Sequence, residues 1–554
     1  MNSIANDFRA AAKDKYLKWI LLLAAFFIFP FLSRVDITGD GAVYSARAIG
    51  KLDFMFADAQ STPLQWFDQM PWWAGLSYHD MPPVVLFIQH LFLQIHESIF
   101  FAKLPFALMG LGTIFFTYLW VKNLYDERLA GLTSFFLAIN ALFIWLTRFP
   151  RLEMGVIFFG SIFLYFLTLF LENKKYWPAF GVSIGLLLLT KYTAIFFVPA
   201  VIFYVAFQKR ESFRSRELYF AGVTAFLFTF IIIIYNLMMY RATGHFDLQI
   251  SRLLGQNSPW HLAGASGSFF ANLSAIFFSI GRSISFPYIF FVLAGIVWSV
   301  FLGRKYLLPM LCLLFLTIEY AFSGADGHFL AVYTPFVAFF TAVFWQEARV
   351  HWPRHDRLLK FAIGAMGLYL IFFATLTHTF ASSNIGRVGW GHGLMSSAVS
   401  YGMYELDSYL DNLLIQNKVD NRVDFYRDLK NKDTRLAKYL LPSSSPPSLS
   451  NVIVYDQNID WFSRVWLFER RRFYHNLPII STVEFARLPD SIKDGIKDAY
   501  FIRATEFANL DSAEFRNELF DSLEKYFAEK NIHPDLLRRR DGQVAFKIYH
   551  SVVR

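Results

Sequence analysis

The chain has 554 residues and one cysteine, Cys312. No disulfide can form within it, and no cysteine-based metal site can be built. Charge is scarce as well. Asp, Glu, Lys and Arg make up 17% of the residues, where a soluble domain carries about a quarter. No internal repeat is visible. No small-x-small cleavage site follows the first apolar run, since Ser33, Arg34, Val35 and Asp36 come next, so that run reads as a retained helix. Apolar surface, by contrast, is abundant. Hydrophobic residues reach 55%, with 65 Phe and 14 Trp, and the mean hydropathy is +0.37. Water cannot solvate that much apolar surface, so lipid must cover part of it. The formal charge is +9. The cations sit in short loops between apolar runs, which marks membrane topology and not nucleic-acid binding.

Runs of about 20 apolar residues span a bilayer. After the first helix, Trp19–Leu32, such runs lie near Phe100–Val121, Leu129–Leu146, Met154–Leu171, Trp177–Leu189 and Thr193–Phe207. Others follow at Leu218–Tyr240, Pro287–Leu302, Leu307–Phe322, Phe329–Trp345 and Leu358–Phe380. The count is about 11–13 spans. Lys13, Lys15 and Lys18 place the N-terminus in the cytoplasm. Lys122 with Arg128, Lys174 with Lys175, the group from Lys209 to Arg216, Arg304 with Lys305, and the group from Arg349 to Lys360 mark the other inner loops. The loops at Arg34–Ile99, Thr147–Glu153, Lys191, Arg241–Phe286 and Ser323–His328 then face outward. Pro82–Ile95 is apolar but short and contains Gln89, His90 and Gln94, which predicts a helix lying in the outer interface.

After Phe380 the pattern changes. Tyr404–Leu414 and Ala513–Glu529 have helical periodicity, Asn451–Tyr455, Ala499–Arg503 and Val544–Ser551 read as strands, and Ser443–Ser450 is a Ser/Pro-rich loop. The expected architecture is an all-α polytopic membrane domain over residues 1–380 and an exterior α/β domain over residues 381–554.

The outer loops carry the candidate chemistry. The first holds Asp36, Asp40, Asp53, Asp58, Asp68, His79 and Asp80, and a solvated loop explains most of these acids. Asp40 differs, because Gly39 and Gly41 let the backbone approach a ligand and a carboxylate there can act as general base on a hydroxyl. The turn Arg148-Phe149-Pro150-Arg151-Leu152-Glu153 has two readings: arginines that snorkel to headgroups, or an acid beside guanidinium groups that hold phosphate. Lys191 is either an interfacial anchor or a phosphate ligand. Asp326 and His328 alone do not make a metal site. Glu319 is the clearest intramembrane acid.

Taken in order, these motifs resemble the GT-C membrane glycosyltransferases, in the protein-mannosyltransferase-like branch that includes the aminoarabinose transferases acting on lipid A. The resemblance covers roughly residues 17–380. It rests on Gly39 through Tyr44, Gly75 through Pro83, Arg148 through Met154, Gly185 through Lys191, and His328 through Pro335. It implies a polyprenyl-phosphate sugar as donor, an inverting transfer, and a site on the outer face of a bacterial cytoplasmic membrane. The C-terminal domain would share that periplasmic side. The family's catalytic acid maps onto Asp40 and its second acid onto Glu153, where many relatives have Asp. Met81 stands where lipid A-directed relatives carry a phosphate-binding lysine, so other cations must hold the phosphate: His79, Arg151, Lys191, Arg241 and Arg282. Tyr44, Tyr78, Asp80, His328 and Tyr333 fall in motifs expected to contact substrate. The acceptor is a lipid, a glycan or a protein hydroxyl. No cofactor is implied; a divalent metal is compatible with the chemistry but nothing in the sequence points to one. The competing reading is a transporter or flippase of a lipid-linked sugar, which predicts charged groups in broken mid-membrane helices.

Overall fold

The structure is a computed structural model. It describes residues 2–34, 36–53, 67, 70–256, 268–324, 327–374, 401–417, 451–475, 477–508 and 518–552. The chain divides into two compact units. The first comprises Met1–Leu32, Leu76–Phe92 and Phe100–Ala398. The second comprises Ser33–Gly75, Leu93–Ile99 and Val399–Arg554, so it includes much of the first outer loop as well as the tail.

The first unit is helical, and the protein is a multi-pass membrane protein. Among the described residues, six helices are long and apolar enough to cross a bilayer: Lys15–Arg34, Ile99–Leu124, Leu152–Glu172, Arg216–Thr243, Gly303–Phe322 and His328–His351. Glu127–Ala138 and Ala141–Thr147 form a seventh candidate, bent by 67°. Asn140 makes that break, its side chain accepting from Phe143 N at 3.1 Å and starting a new helix. The outer surface of Arg216–Thr243 bears Tyr219, Phe226, Phe230 and Leu237, all exposed, as a lipid-facing helix requires. Close packing occurs where small residues permit it. A Cβ on Gly295 would lie 1.9 Å from the Phe340 carbonyl oxygen, so glycine lets Phe286–Phe301 approach Thr334–His351.

Several expected spans are short helices. Trp177–Leu188 has 12 residues, Phe197–Gln208 has 12 and Phe286–Phe301 has 16. Phe269–Ile284 is a helix inside what reads from the sequence as the outer loop Arg241–Phe286. Asn272, Ser274, Ser279 and Gly281 interrupt its apolar residues, so no continuous run announces it. Val84–Leu93 has 10 residues. At about 15 Å it is half the hydrocarbon thickness, consistent with the expected non-spanning segment at Pro82–Ile95.

The second unit carries a five-stranded sheet in the order β2-β1-β3-β5-β4. The strands are β1 (Asn451–Tyr455), β2 (Ile479–Ser481), β3 (Asp498–Ala504), β4 (Asp535–Arg538) and β5 (Val544–Val552). β1 pairs in parallel with both β2 and β3, placing Val454 opposite Ile480 and Phe501. β5 runs antiparallel to β3 and β4. Val452, Val454, Ile480 and Phe501 pack with Phe520 and Phe527 from helix Glu518–Glu529 and with Tyr549 of β5. The strands expected at Asn451–Tyr455, Ala499–Arg503 and Val544–Ser551 are therefore present. So are the helix at Tyr404–Leu414, within Met403–Asn417, and the described part of the one at Ala513–Glu529. β2 has three residues, and β4 reads Asp-Leu-Leu-Arg, which is why neither showed a strand pattern. Ser443–Ser450, Asp58, Asp68, Asp326 and the end of the last expected span lie outside the described residues.

Candidate active site

In the first unit, Glu153 is the focus of the buried charge. It lies in the first turn of Leu152–Glu172 with 2% of its surface exposed. The Lys191 ammonium is bonded to its Oε1, and His328 Nε2 stands 3.9 Å from the same oxygen. Arg151, the residue before the helix, adds a further positive charge that acts on Glu153. The short turn Leu189-Thr190-Lys191 between two helices places the lysine there. Thr190 Oγ1 bonds back to Leu187 O at 2.6 Å, and Lys191 begins the 3-10 helix Tyr192–Phe196. The ammonium also lies 4.1 Å above the Phe329 ring centre, and the His328 ring packs on Phe329 at 4.3 Å. Such a cation gains attraction from the ring without being neutralised by it. The carboxylate thus holds a small group of cations on buried framework, the arrangement that binds phosphate with little reorganisation.

The same unit holds an apolar cavity of roughly 180 Å³, lined by Ile276, Ile280, Leu313, Thr317, Tyr333 and Phe340 among others. Tyr333 is buried and donates to Thr317 Oγ1 at 3.3 Å. It belongs to Gly327–Tyr333, the same 3-10 segment that carries His328. One short segment therefore supplies both a polar group of the cluster and the polar edge of the cavity.

A second polar node fixes the outer turns around Lys191. Asp247 is fully buried. It accepts from the Tyr192 hydroxyl, from Asn236 Nδ2 at 2.9 Å and from Ile250 N at 2.9 Å, while its own N donates to Asn236 Oδ1 at 2.9 Å. Burial pushes the Asp247 carboxyl above its usual range despite these hydrogen bonds, and the nearby Asp80 adds to the rise. Leu248 N donates to His79 O at 2.7 Å. In the turn before it, Tyr78 N and Ser77 Oγ both bond to Met81 O, at 3.1 and 3.2 Å. His79 and Tyr78 are buried and Asp80 is half-buried. Asp247, Tyr192 and Asn236 have no motif to mark them, and reasoning from sequence passed over them. Only Asp247's place in an outer loop was a signal.

The remaining candidates divide. Arg148 is not available as a phosphate ligand through Nη1. That nitrogen donates to Phe27 O and Ile28 O at 3.0 and 2.8 Å, satisfying carbonyls at the end of Lys15–Ile28. Arg241 is exposed in the last turn of Arg216–Thr243. Arg282 lies in Phe269–Ile284, and its side chain is outside the described set.

In the second unit, Asp40 is the first residue of helix Asp40–Gly50. Gly39 precedes it at φ 57°, ψ −154°, a conformation that favours glycine. Asp40 is half-buried, and Tyr44 lies one turn later on the same helix face. Asp36 and Asp53 of the loop are structural and buried, contrary to the solvated-loop expectation. Asp36 Oδ1 accepts from Tyr404 N at 2.9 Å and Oδ2 from Tyr401 N at 2.5 Å, at the start of helix Met403–Asn417. Asp53 lies 3.6 Å from the buried Arg47 guanidinium.

Residues 80–235 match the family model described as dolichyl-phosphate-mannose-protein mannosyltransferase. Curated protein sequences give no match. Among solved structures, the chain is similar to ArnT from Cupriavidus metallidurans bound to undecaprenyl phosphate, with 12% identity, a TM-score of 0.54 and 97% of both chains covered. The apo form of that protein gives 12% identity, a TM-score of 0.52 and the same coverage. An oligosaccharyltransferase from Archaeoglobus fulgidus, in complex with Zn and sulfate, gives 13% identity and a TM-score of 0.50, covering 96% of this chain and 73% of that one. The chain therefore has the fold of these solved structures, and its residues 80–235 are similar to the dolichyl-phosphate-mannose-protein mannosyltransferase family model.

Proposed function

We propose that the chain transfers a sugar from a polyprenyl-phosphate donor to a hydroxyl of an envelope lipid, glycan or protein, at the outer face of a bacterial cytoplasmic membrane. The observation that carries this reading is the buried Glu153 with its half-buried partners Lys191 and His328, in the unit that also holds an apolar cavity lined by Tyr333 of the His328 segment. A lipid phosphate needs both, cations for its head and an apolar groove for its tail. The solved relative bound to undecaprenyl phosphate supports the same donor class.

In the proposed reaction Asp40 takes the proton of the acceptor hydroxyl. The acceptor oxygen forms a bond to the anomeric carbon as the carbon–oxygen bond to phosphate breaks, and polyprenyl phosphate leaves with the electron pair. In-line displacement inverts that carbon. Lys191, with Arg151 and His328, stabilises the charge that grows on the departing phosphate. Glu153 is a positioning residue that holds the Lys191 ammonium.

The test is transfer of a radiolabelled sugar from undecaprenyl phosphate in detergent, without a gradient or sealed vesicles. Asp40→Asn is expected to lower the rate by ~10²-fold or more while the thermal unfolding profile is kept. Full activity of that variant would remove Asp40 from the mechanism. Absence of any transfer by the unaltered protein would remove the enzyme reading.

A further inference from the structure

The Lys191 ammonium is aimed by a turn whose backbone is tied down on both sides. Val84 N donates to Leu189 O at 3.1 Å, and Ala194 N donates to Lys191 O at 3.0 Å. The next residue, Tyr192, opens the 3-10 helix Tyr192–Phe196, and its hydroxyl is bonded to Asp247. Asp247 takes part in neither the ion pair nor the proposed proton transfer. It is fully buried, and three donors converge on its carboxylate: the Tyr192 hydroxyl, Asn236 Nδ2 at 2.9 Å and Ile250 N at 2.9 Å. Its backbone is held as well. Asp247 N donates to Asn236 Oδ1 at 2.9 Å, and Leu248 N donates to His79 O at 2.7 Å. Asn236 belongs to the spanning helix Arg216–Thr243, and His79 to the turn in which Tyr78 N bonds to Met81 O. Asp247 therefore joins three separate stretches of chain at the residue beside Lys191. Met81 is 2% exposed, so the Tyr78–Met81 turn serves this region through its backbone and brings no cation at 81.

We infer that Asp247 is a positioning residue for the donor phosphate: through Tyr192 it fixes the turn that carries Lys191, so that the ammonium meets the phosphate already in place. This rests on the reading of the Lys191 group as the donor phosphate site. A lysine ends in a point charge on a flexible four-carbon stem, and its ammonium wanders when the backbone beneath it moves. A small misplacement of a group that binds or stabilises the reacting atoms costs far more than the displaced contact suggests. Asp247 itself needs no contact with the donor. The hydrogen bonds also say why an acid stands here. Two acceptor oxygens face three donors, which suits a carboxylate. An amide at 247 would keep an acceptor for Ile250 N but set its NH₂ against the NH₂ of Asn236. Exchanging the two side chains restores the match, since an acid at 236 accepts from an amide at 247, whose second hydrogen is free to reach the Tyr192 oxygen.

The experiment uses the full chain in detergent and a titration with fluorescent polyprenyl phosphate. Asp247→Asn is expected to weaken binding by ~10-fold, and Tyr192→Phe, which removes only the bond between the acid and the residue beside Lys191, by ~3-fold. Asp247→Asn combined with Asn236→Asp is expected to return binding to within ~2-fold of the unaltered protein. In the paired background Glu153→Gln with Lys191→Met, where Arg151 and His328 remain to hold the phosphate, adding Asp247→Asn is expected to cost less than ~2-fold, because the group it positions is gone. An equal loss in both backgrounds would overturn the proposal, since that marks a structural role. So would full binding by an Asp247→Asn protein with an unchanged thermal unfolding midpoint. If Asp247→Asn does not fold, Tyr192→Phe in the same two backgrounds decides by the same criterion. If the unaltered protein fails to bind polyprenyl phosphate, the donor reading itself falls and the positioning role with it, whereas normal binding with equal losses removes the positioning role alone.

Discussion

Each unit buries a cluster of opposite charges, and the two clusters are finished differently. In the second unit, Asp407 Oδ1 receives Arg470 Nη2 at 3.0 Å and Arg471 Nη1 at 2.8 Å, while Oδ2 accepts from Trp466 Nε1 at 3.3 Å. Arg470 also binds Glu97 and the Trp466 carbonyl, and Arg471 binds Asp411 and the Leu467 carbonyl. Burial alone would raise the Asp407 carboxyl, but Arg471 and Arg470 outweigh it and hold the group below the usual carboxylate range. In the first unit, the Lys191 ammonium is bonded to the Glu153 carboxylate and faces the Phe329 ring, and His328 Nε2 stands 3.9 Å from the same carboxylate. A network whose donors and acceptors are matched holds a fold together. A network that keeps a partly exposed ammonium on a single buried carboxylate is open to a ligand.

The sharpest way to break this comparison is to remove the centre of the matched network. Asp407→Ala leaves two buried guanidinium groups short of their shared carboxylate, and the second unit is expected to lose about 3–5 kcal/mol. Thermal unfolding followed by tryptophan fluorescence, with limited proteolysis to locate the loosened unit, measures it. An unchanged midpoint would show that the arginines re-pair at no cost. The counterpart in the first unit removes both charges together, as Glu153→Gln with Lys191→Met. No uncompensated ion remains, so stability is expected to move by less than about 1 kcal/mol, while sugar transfer falls by ~10²–10³-fold. Retained transfer in a folded double variant would mean that the pair is structural after all.

The same contrast explains what the sequence made legible. The spanning helices at Ile99–Leu124, Leu152–Glu172 and Arg216–Thr243 are long one-character runs and were readable within a few residues. Phe269–Ile284 was not, because a helix apolar on one face only leaves no run to see. Glu153, Lys191 and His328 were each readable as polar residues at the ends of apolar segments. Their convergence was not, since 38 residues separate Lys191 from Glu153 and only tertiary packing joins them. Asp36 and Asp53 show the reverse failure. An acid in a long loop reads as solvated until the fold supplies a helix start or a buried arginine to hold it. Asp247 was silent for a third reason. Its partners Tyr192 and Asn236 come from two helices and carry no spacing relation to it.

Glu97 provides the gentlest test, by pH alone. It lies in the Leu93–Ile99 segment of the second unit. Burial works to raise its carboxyl, but the hydrogen bond from His475 and the charge of Arg470 prevail and hold it at about 2, below the usual value of 4.5. His475 Nε2 approaches Glu97 Oε2 to 2.9 Å. The folded group gives up its proton more readily than the unfolded one. Its contribution is therefore complete above pH 4.5 and is lost as the pH falls from there towards 2, because the unfolded chain binds the extra proton first. The loss is expected to be about 3 kcal/mol across that window. Glu97→Gln should flatten this part of the stability profile of the second unit and leave the profile above pH 5 nearly parallel to that of the unaltered protein. A Gln variant with the same acid slope would assign the sensitivity to Asp407, whose two guanidinium partners hold it down in the same sense. The latch at Glu97 would then be ornamental to stability, and the matched network would rest on Asp407 alone.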